Sequence, residues 1–481
     1  MRNLFVIMSV IFCLELRSQS PERFYCRYGG SGEDVGYSVK QTKDGKYIIA
    51  GSSSSYGTHG NTDVILMKLD KFGFPAWEKY FGGTGNEVGK SVIQLPDSGY
   101  MIAGFTDSYG AGGFDAFIIR TDKDGVQLWQ RTFGGADWDF ASDLVQAIDG
   151  NIFVVGNTYS FGNGKKDGFI LKYDMSGNLL NQKFIGGAED DELRSIIVTN
   201  DFNLATVGNT SSRGEINGDG YFAKLDLNGD TLFTKTFGGP LKDYACDLVQ
   251  KGVSENFDYV VAGARTHLFQ TKTNSYMYRI STTGNFVYDY DNYNSSGDEN
   301  WESLANSSNL SNATAFIRTI PVPALSQQGN IMQKYPNGFE FLVNSFGGAL
   351  DEAFYSIENV EHGGYIIIGS TVSYGSVGKD IIFIKMDSTI INYSSIVGNK
   401  EIRQEKKLDF FYKENHVVGF NFPDNDLPQT AELYDLKGKQ IKKVALEKKE
   451  IEINLSDLTD SIYIIRFGYS NGQAIYQKLI N

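Results

Sequence analysis

Seven carboxylates recur at one place in the internal rhythm of this chain: Asp34, Glu87, Asp139, Asp191, Asp243, Glu299 and Glu352. Oxygen donors set around a common axis can hold a cation or a basic ligand. A pair of them could also serve glycoside hydrolysis, given a suitable separation. The other reading is local: each carboxylate accepts N–H bonds in its own loop and fixes a turn. Both readings stay open at this point. A second recurrence is aromatic, with Tyr56, Tyr109, Phe161 and Tyr374 each followed by glycine, while Arg213 takes that place in the fourth repeat. Flat rings beside Ser, Thr and Asn can stack on sugars or anchor a protein, or they can pack across their own loops.

Little else has catalytic form. The four histidines fall in unrelated positions without metal-ligand spacing, and there is no G-x-S-x-G elbow, P-loop or dinucleotide fingerprint. Asp226-Leu227-Asn228-Gly229-Asp230 lacks the full ligand set of a calcium loop. No metal or cofactor is expected. The net charge of −14 argues against nucleic acid as a partner, because such binding needs clustered Lys and Arg.

The elements that must position these side chains follow from a repeat. An apolar residue and two glycines return as Tyr28-Gly29-Gly30, Phe81-Gly82-Gly83, Phe133-Gly134-Gly135, Ile185-Gly186-Gly187, Phe237-Gly238-Gly239 and Phe346-Gly347-Gly348. The spacing is about fifty-two residues, and one interval is doubled. A divergent repeat near Gly297-Asp298-Glu299 fills that gap, so the count is seven. Within one repeat, Ser91 to Leu95, Tyr100 to Gly104, Asp115 to Thr121 and Val126 to Thr132 read as four strands, with Asp-Gly turns supplying positive φ. Four antiparallel strands per repeat make a propeller blade. Phe24 stands at the same offset from its doublet as Trp77 and Trp129 do from theirs, yet precedes the first full repeat. It is therefore expected to complete the last blade and close the ring, with Ile391 to Val397 as a competitor. Lys68, Arg120, Lys172, Lys224, Arg279, Lys334 and Lys385, late in the third strands, are read as cations snorkelling over apolar neighbours.

The doublets and the Asp-Gly-Tyr stretches resemble a group of bacterial extracellular propellers with W-x-K-x-[FY]-G-G and D-G-G-Y-I-x-A-G patterns, over about residues 22 to 397. The last seventy residues alternate as a small antiparallel sandwich would. There, Leu433-Tyr434-Asp435-Leu436-Lys437-Gly438-Lys439, Ile453-Asn454-Leu455, Ile462-Tyr463-Ile464 and Gln477-Lys478-Leu479 resemble the C-terminal sorting domain of type IX secretion. The family's Pro-Asn-Pro opening is missing, and its Gly-x-Tyr is Ser461-Ile462-Tyr463 here. The resemblance implies delivery through the periplasm and the outer-membrane translocon of a Gram-negative cell, to its surface or the medium. It also implies Tyr434, Asp435, Gly438, Tyr463, Lys478 and Leu479 as the sorting motif.

The expected organisation is an all-β chain. A signal peptide occupies 1–20, a seven-bladed propeller 21–397 (blades starting near 29, 82, 134, 186, 238, 297 and 347), a charged linker 398–411 and the sorting domain 412–481. After cleavage no transmembrane segment is expected, and Cys26 and Cys246 remain as buried free thiols on different blades. The functional expectation is a monomeric, non-catalytic binding or adhesion protein that takes a glycan or a protein. The alternatives are a polysaccharide-active enzyme using carboxylates at the channel mouth, and a passive envelope scaffold.

Overall fold

The computed structural model describes residues 24–56, 61–214, 218–252, 256–266, 273–291, 300–306, 314–321, 327–334, 340–346, 350–361, 363–373, 378–386, 409–413, 417–421, 428–434, 440–445, 450–454, 462–468 and 474–480. The chain divides into a unit over Arg23–Lys406 and a second that contains Lys407–Asn481. The first is a seven-bladed β-propeller. Blades one to six span 34–81, 87–133, 139–185, 191–237, 243–291 and 300–346, each a four-stranded antiparallel sheet in sequence order. The divergent sixth repeat thus builds a full blade. Blade seven takes three strands from Glu352–Asn359, Tyr365–Thr371 and Asp380–Met386. Its fourth is Phe24–Tyr28, antiparallel to the third, with Phe24 opposite Lys385 and Tyr28 opposite Ile381. The competitor, Ile391 to Val397, lies outside the described residues.

Closure repeats the packing used between neighbouring blades. Trp77, Trp129 and Phe233 lie over the turn glycines Gly125, Gly177 and Gly284 of the next blade, where a methyl group would strike their rings. Phe24 covers Gly73 of blade one in the same manner, and the Tyr28 hydroxyl donates to the Gly73 carbonyl at 2.6 Å. These turn glycines have φ between +77° and +86°, which a side chain would strain.

Two sequence expectations are corrected. First strands open four residues early, at the recurrent carboxylate, as in Glu87–Gln94. Each carries a bulge, Gly89/Ser91 in blade two and Gly36/Ser38 in blade one, so strict alternation fails across that point. Of the third-strand cations, Lys68 and Lys224 do not snorkel either. Lys68 and Lys224 are buried, donating to Thr42 and Thr199 at 2.7 Å and to Tyr100 and Tyr259 of the next blade at 3.0 and 2.9 Å. They tie blades together. Lys334's side chain lies outside the described residues.

The second unit is a small two-sheet sandwich. One sheet pairs Asp409–Lys413, Val417–Asn421 and Glu450–Asn454, and the other orders Gln440–Ala445, Thr430–Tyr434, Ile462–Gly468 and Ala474–Ile480. Its first strand begins inside the stretch read as linker.

Candidate functional site

The recurrent carboxylates are buried and committed to their own loops. Asp139 Oδ2 accepts the Gly135 N–H at 2.9 Å and the Ser160 hydroxyl at 2.7 Å. Asp34 repeats this with Gly30 and Ser55, and Asp191 with Gly187 and Ser212. Glu87 takes Gly83 and Thr106, Asp243 takes Gly239 and Thr266, and Glu352 takes Thr371. None of these six lines the channel cavity. Glu299 lies outside the described residues.

The loop aromatics close over the same loops. Tyr56 and Tyr109 donate their hydroxyls to the carbonyls of Gly29 and Gly82, at 3.1 and 2.8 Å. Tyr109 stacks on Phe117 at 5.7 Å, and Phe161 packs on Phe133 at 5.4 Å. One face of each stays exposed, 36% in the case of Tyr109. Tyr374 lies outside the described residues. Of the sorting-motif residues, Tyr434, Tyr463, Lys478 and Leu479 sit in strands of the second unit, whereas Asp435 and Gly438 lie outside the described residues.

The bulge matters because it sets which side chains reach the central channel. Just past it, Ser38, Ser91, Asp143, Ser195, Asp247, Ser303 and Ser356 line the cavity. They form a girdle that links blades. Ser91 donates to Asp143 at 2.7 Å, Ser195 to Asp247 at 2.7 Å, and Ser303 to Asp247 at 2.8 Å. The Ile196 and Leu304 amides reach the same two carboxylates at 2.9 and 3.0 Å. Burial raises the pKa of both Asp143 and Asp247 against these bonds.

One residue earlier the chemistry stops repeating: Tyr37, Lys90, Ser142, Arg194, Cys246, Glu302 and Tyr355. All seven line a cavity of about 700 Å³. Tyr37 and Tyr355 meet at 4.9 Å between ring centroids, and Lys90 Nζ stands 3.8 Å over the Tyr37 ring. Burial, opposed by Glu302 and aided by Arg194, pushes the Lys90 ammonium down to about 8. Burial also pushes the Glu302 carboxyl up to about 7, against the pull of Arg194 and Lys90. Arg194 Nε binds Glu192 Oε1 at 2.7 Å, and Lys166 binds the other oxygen at 2.6 Å. Those two cations overcome burial and hold Glu192 at about 2. On the far side of the girdle, Lys40 pairs with Glu358 at 2.5 Å. Cys246 is only partly buried, a correction to the expectation of two buried thiols, and Cys26 is buried in the closing strand.

A second singular feature sits on the loop side of blades two and three. Phe105, Phe114, Trp138 and Phe140 form one cluster, with centroids 5.0 to 6.3 Å apart, and Trp138 is 55% exposed. In blade four the strand positions equivalent to Phe105 and Phe140 hold Asn209 and Glu192, a polar pair facing each other across the first two strands. The cluster is therefore not part of the repeat. Sequence reasoning missed both singular sites. The available signal was a variable column beside a nearly constant Ser/Asp column.

Residues 413–481 match the secretion system C-terminal sorting domain. The chain carries that domain behind a propeller, which marks it for type IX secretion to the surface or surroundings of a Gram-negative bacterium. No helix among the described residues is long and apolar enough to cross a membrane. The chain is 27% identical over 186 residues to the regulatory protein FlaEY of Caulobacter vibrioides, covering 33% of this chain and 19% of that protein. It thus spans about a fifth of that relative's length. Among solved structures it is similar to Sqt1 of Chaetomium thermophilum, at 13% identity and a TM-score of 0.43, over 72% of this chain and 82% of that one. It is also similar to a fungal alcohol oxidase of the AA5 family, at 10% identity and a TM-score of 0.45, over 96% and 99% of the two chains.

Proposed function

We propose that the exported propeller is a binding module that takes a glycan in its central channel. One observation carries this reading: the side chains that do not repeat from blade to blade converge on the 700 Å³ cavity. A feature present in every blade serves the blade, and one present once is available for a ligand. Tyr37 and Tyr355 offer aromatic surface, while Arg194, Lys90, Glu302 and Ser142 supply donors and acceptors beside it.

A glycan array probed with the full chain tests this. Arg194→Ala with Tyr355→Ala should weaken any glycan found by about tenfold or more, the loss of one good polar contact. Unchanged binding in a folded double variant refutes the channel site.

A second reading is favoured by Glu302 and Lys90, whose pKa values of about 7 and 8 suit general acid and base work near neutral pH. Turnover of a polysaccharide that Glu302→Gln abolishes, with binding kept, would establish this enzyme in place of the binding module.

A further inference from the structure

At five blade junctions, the third strand of one blade and the first strand of the next each bring a buried carboxylate to the same glycine. The pairs are Asp380 and Asp34 at Gly29, Asp63 and Glu87 at Gly82, Asp115 and Asp139 at Gly134, Asp167 and Asp191 at Gly186, and Asp219 and Asp243 at Gly238. A methyl group on any of these glycines would run into both carboxylates. Like charges held so close and so buried repel each other, and a positive charge between them relieves that repulsion.

At least two junctions contain one. Arg27 reaches Asp380 at 3.1 Å, and Arg265 stands 4.0 Å from Asp243. The two arginines come from different strands, an outer fourth strand and a second strand, so they are separate routes to one charge. Among the described residues, no Lys or Arg forms an ion pair with Asp115 or Asp139.

The Asp115–Asp139 junction also has spare oxygens. Asp115 Oδ2 accepts the Ala111 N–H at 3.0 Å, and Asp139 Oδ2 is used by Gly135 and Ser160. Both Oδ1 atoms are buried without a hydrogen-bond partner, and that of Asp115 lies where a Gly134 side chain would stand. Buried polar atoms rarely stay unmatched.

We infer that the Asp115–Asp139 junction binds a small hard cation, Ca²⁺ in the medium to which the chain is exported. The ion does there what Arg27 and Arg265 do at their own junctions. Oxygen-only donors suit Ca²⁺, which fills the rest of its shell from backbone carbonyls and water. No third carboxylate, His or Cys joins the pair among the described residues, so the site is of the weak extracellular kind. This inference is independent of the glycan reading.

The test uses the full chain, freed of metal and then titrated with CaCl₂ by equilibrium dialysis, with thermal melts in EDTA and in ~5 mM Ca²⁺, above the weak extracellular range. Wild type should bind at least one equivalent and melt higher with Ca²⁺ than with EDTA. Asp115→Asn should lose one equivalent and the part of the melting shift that depends on it. A wild-type melt indifferent to Ca²⁺, with no ion bound, overturns the inference. Full stoichiometry in a folded Asp115→Asn variant overturns it as well. Should that variant fail to fold, Asp139→Asn and the wild-type titration still decide.

Discussion

The Gly-Gly loops and the central channel are built from the same strands by opposite rules. Around the loops, blades one to five and seven repeat one arrangement: a buried carboxylate at the start of the first strand, accepting bonds from its own loop. In the channel, three residues further along those strands, the side chains run Tyr, Lys, Ser, Arg, Cys, Glu, Tyr. The lesson is that recurrence marks construction. A ring of carboxylates invites a reading as a ligand site, but an acceptor that already holds an amide and a hydroxyl has little left to offer a ligand in the channel.

The largest expected effect strikes the frame that both regions share. Deleting residues 24–28 removes the outer strand of blade seven and the burial of Phe24, Cys26 and Tyr28. Each large side chain is worth about 1.5–3 kcal/mol, against a total stability of about 5–15 kcal/mol. Circular dichroism melts should show the cooperative transition lost or greatly lowered. A variant that melts like wild type would mean that the ring does not depend on this closure.

A smaller effect sharpens the contrast from the channel side. Glu302 has a folded-state pKa of about 7, above its unfolded value, so the folded chain binds the extra proton between about pH 4.5 and 7. Stability from this group is complete below the unfolded pKa and is lost as pH rises through about 7. Glu302→Gln should therefore match wild type near pH ~4 and melt higher than wild type at pH ~8, on either side of that window. A gap that does not grow with pH would show that Glu302 titrates normally.

Much of the frame was legible because glycine doublets and Asp-Gly turns are set by local sterics. The seven repeats and the closing role of Phe24 both followed from spacing and offset alone. The first strands were misplaced because a bulge, as between Gly89 and Ser91, puts two residues opposite one and breaks the period-two pattern. That same bulge hid the channel column, since the facing of Lys90 or Arg194 cannot be counted from the strand start. Lys68 and Lys224 were misjudged for another reason: their partners Tyr100 and Tyr259 belong to the next blade, and no local pattern reveals a contact across a junction.

The most direct measurement compares Asp139→Ala with Arg194→Ala for melting temperature and for binding of a glycan found by array. Asp139→Ala should cost about 1–3 kcal/mol of stability, the penalty of stranding a buried amide and hydroxyl, and leave binding intact in the folded fraction. Arg194→Ala should melt near wild type and bind weakly. The reverse pattern, a stable Asp139→Ala that no longer binds, would contradict the account.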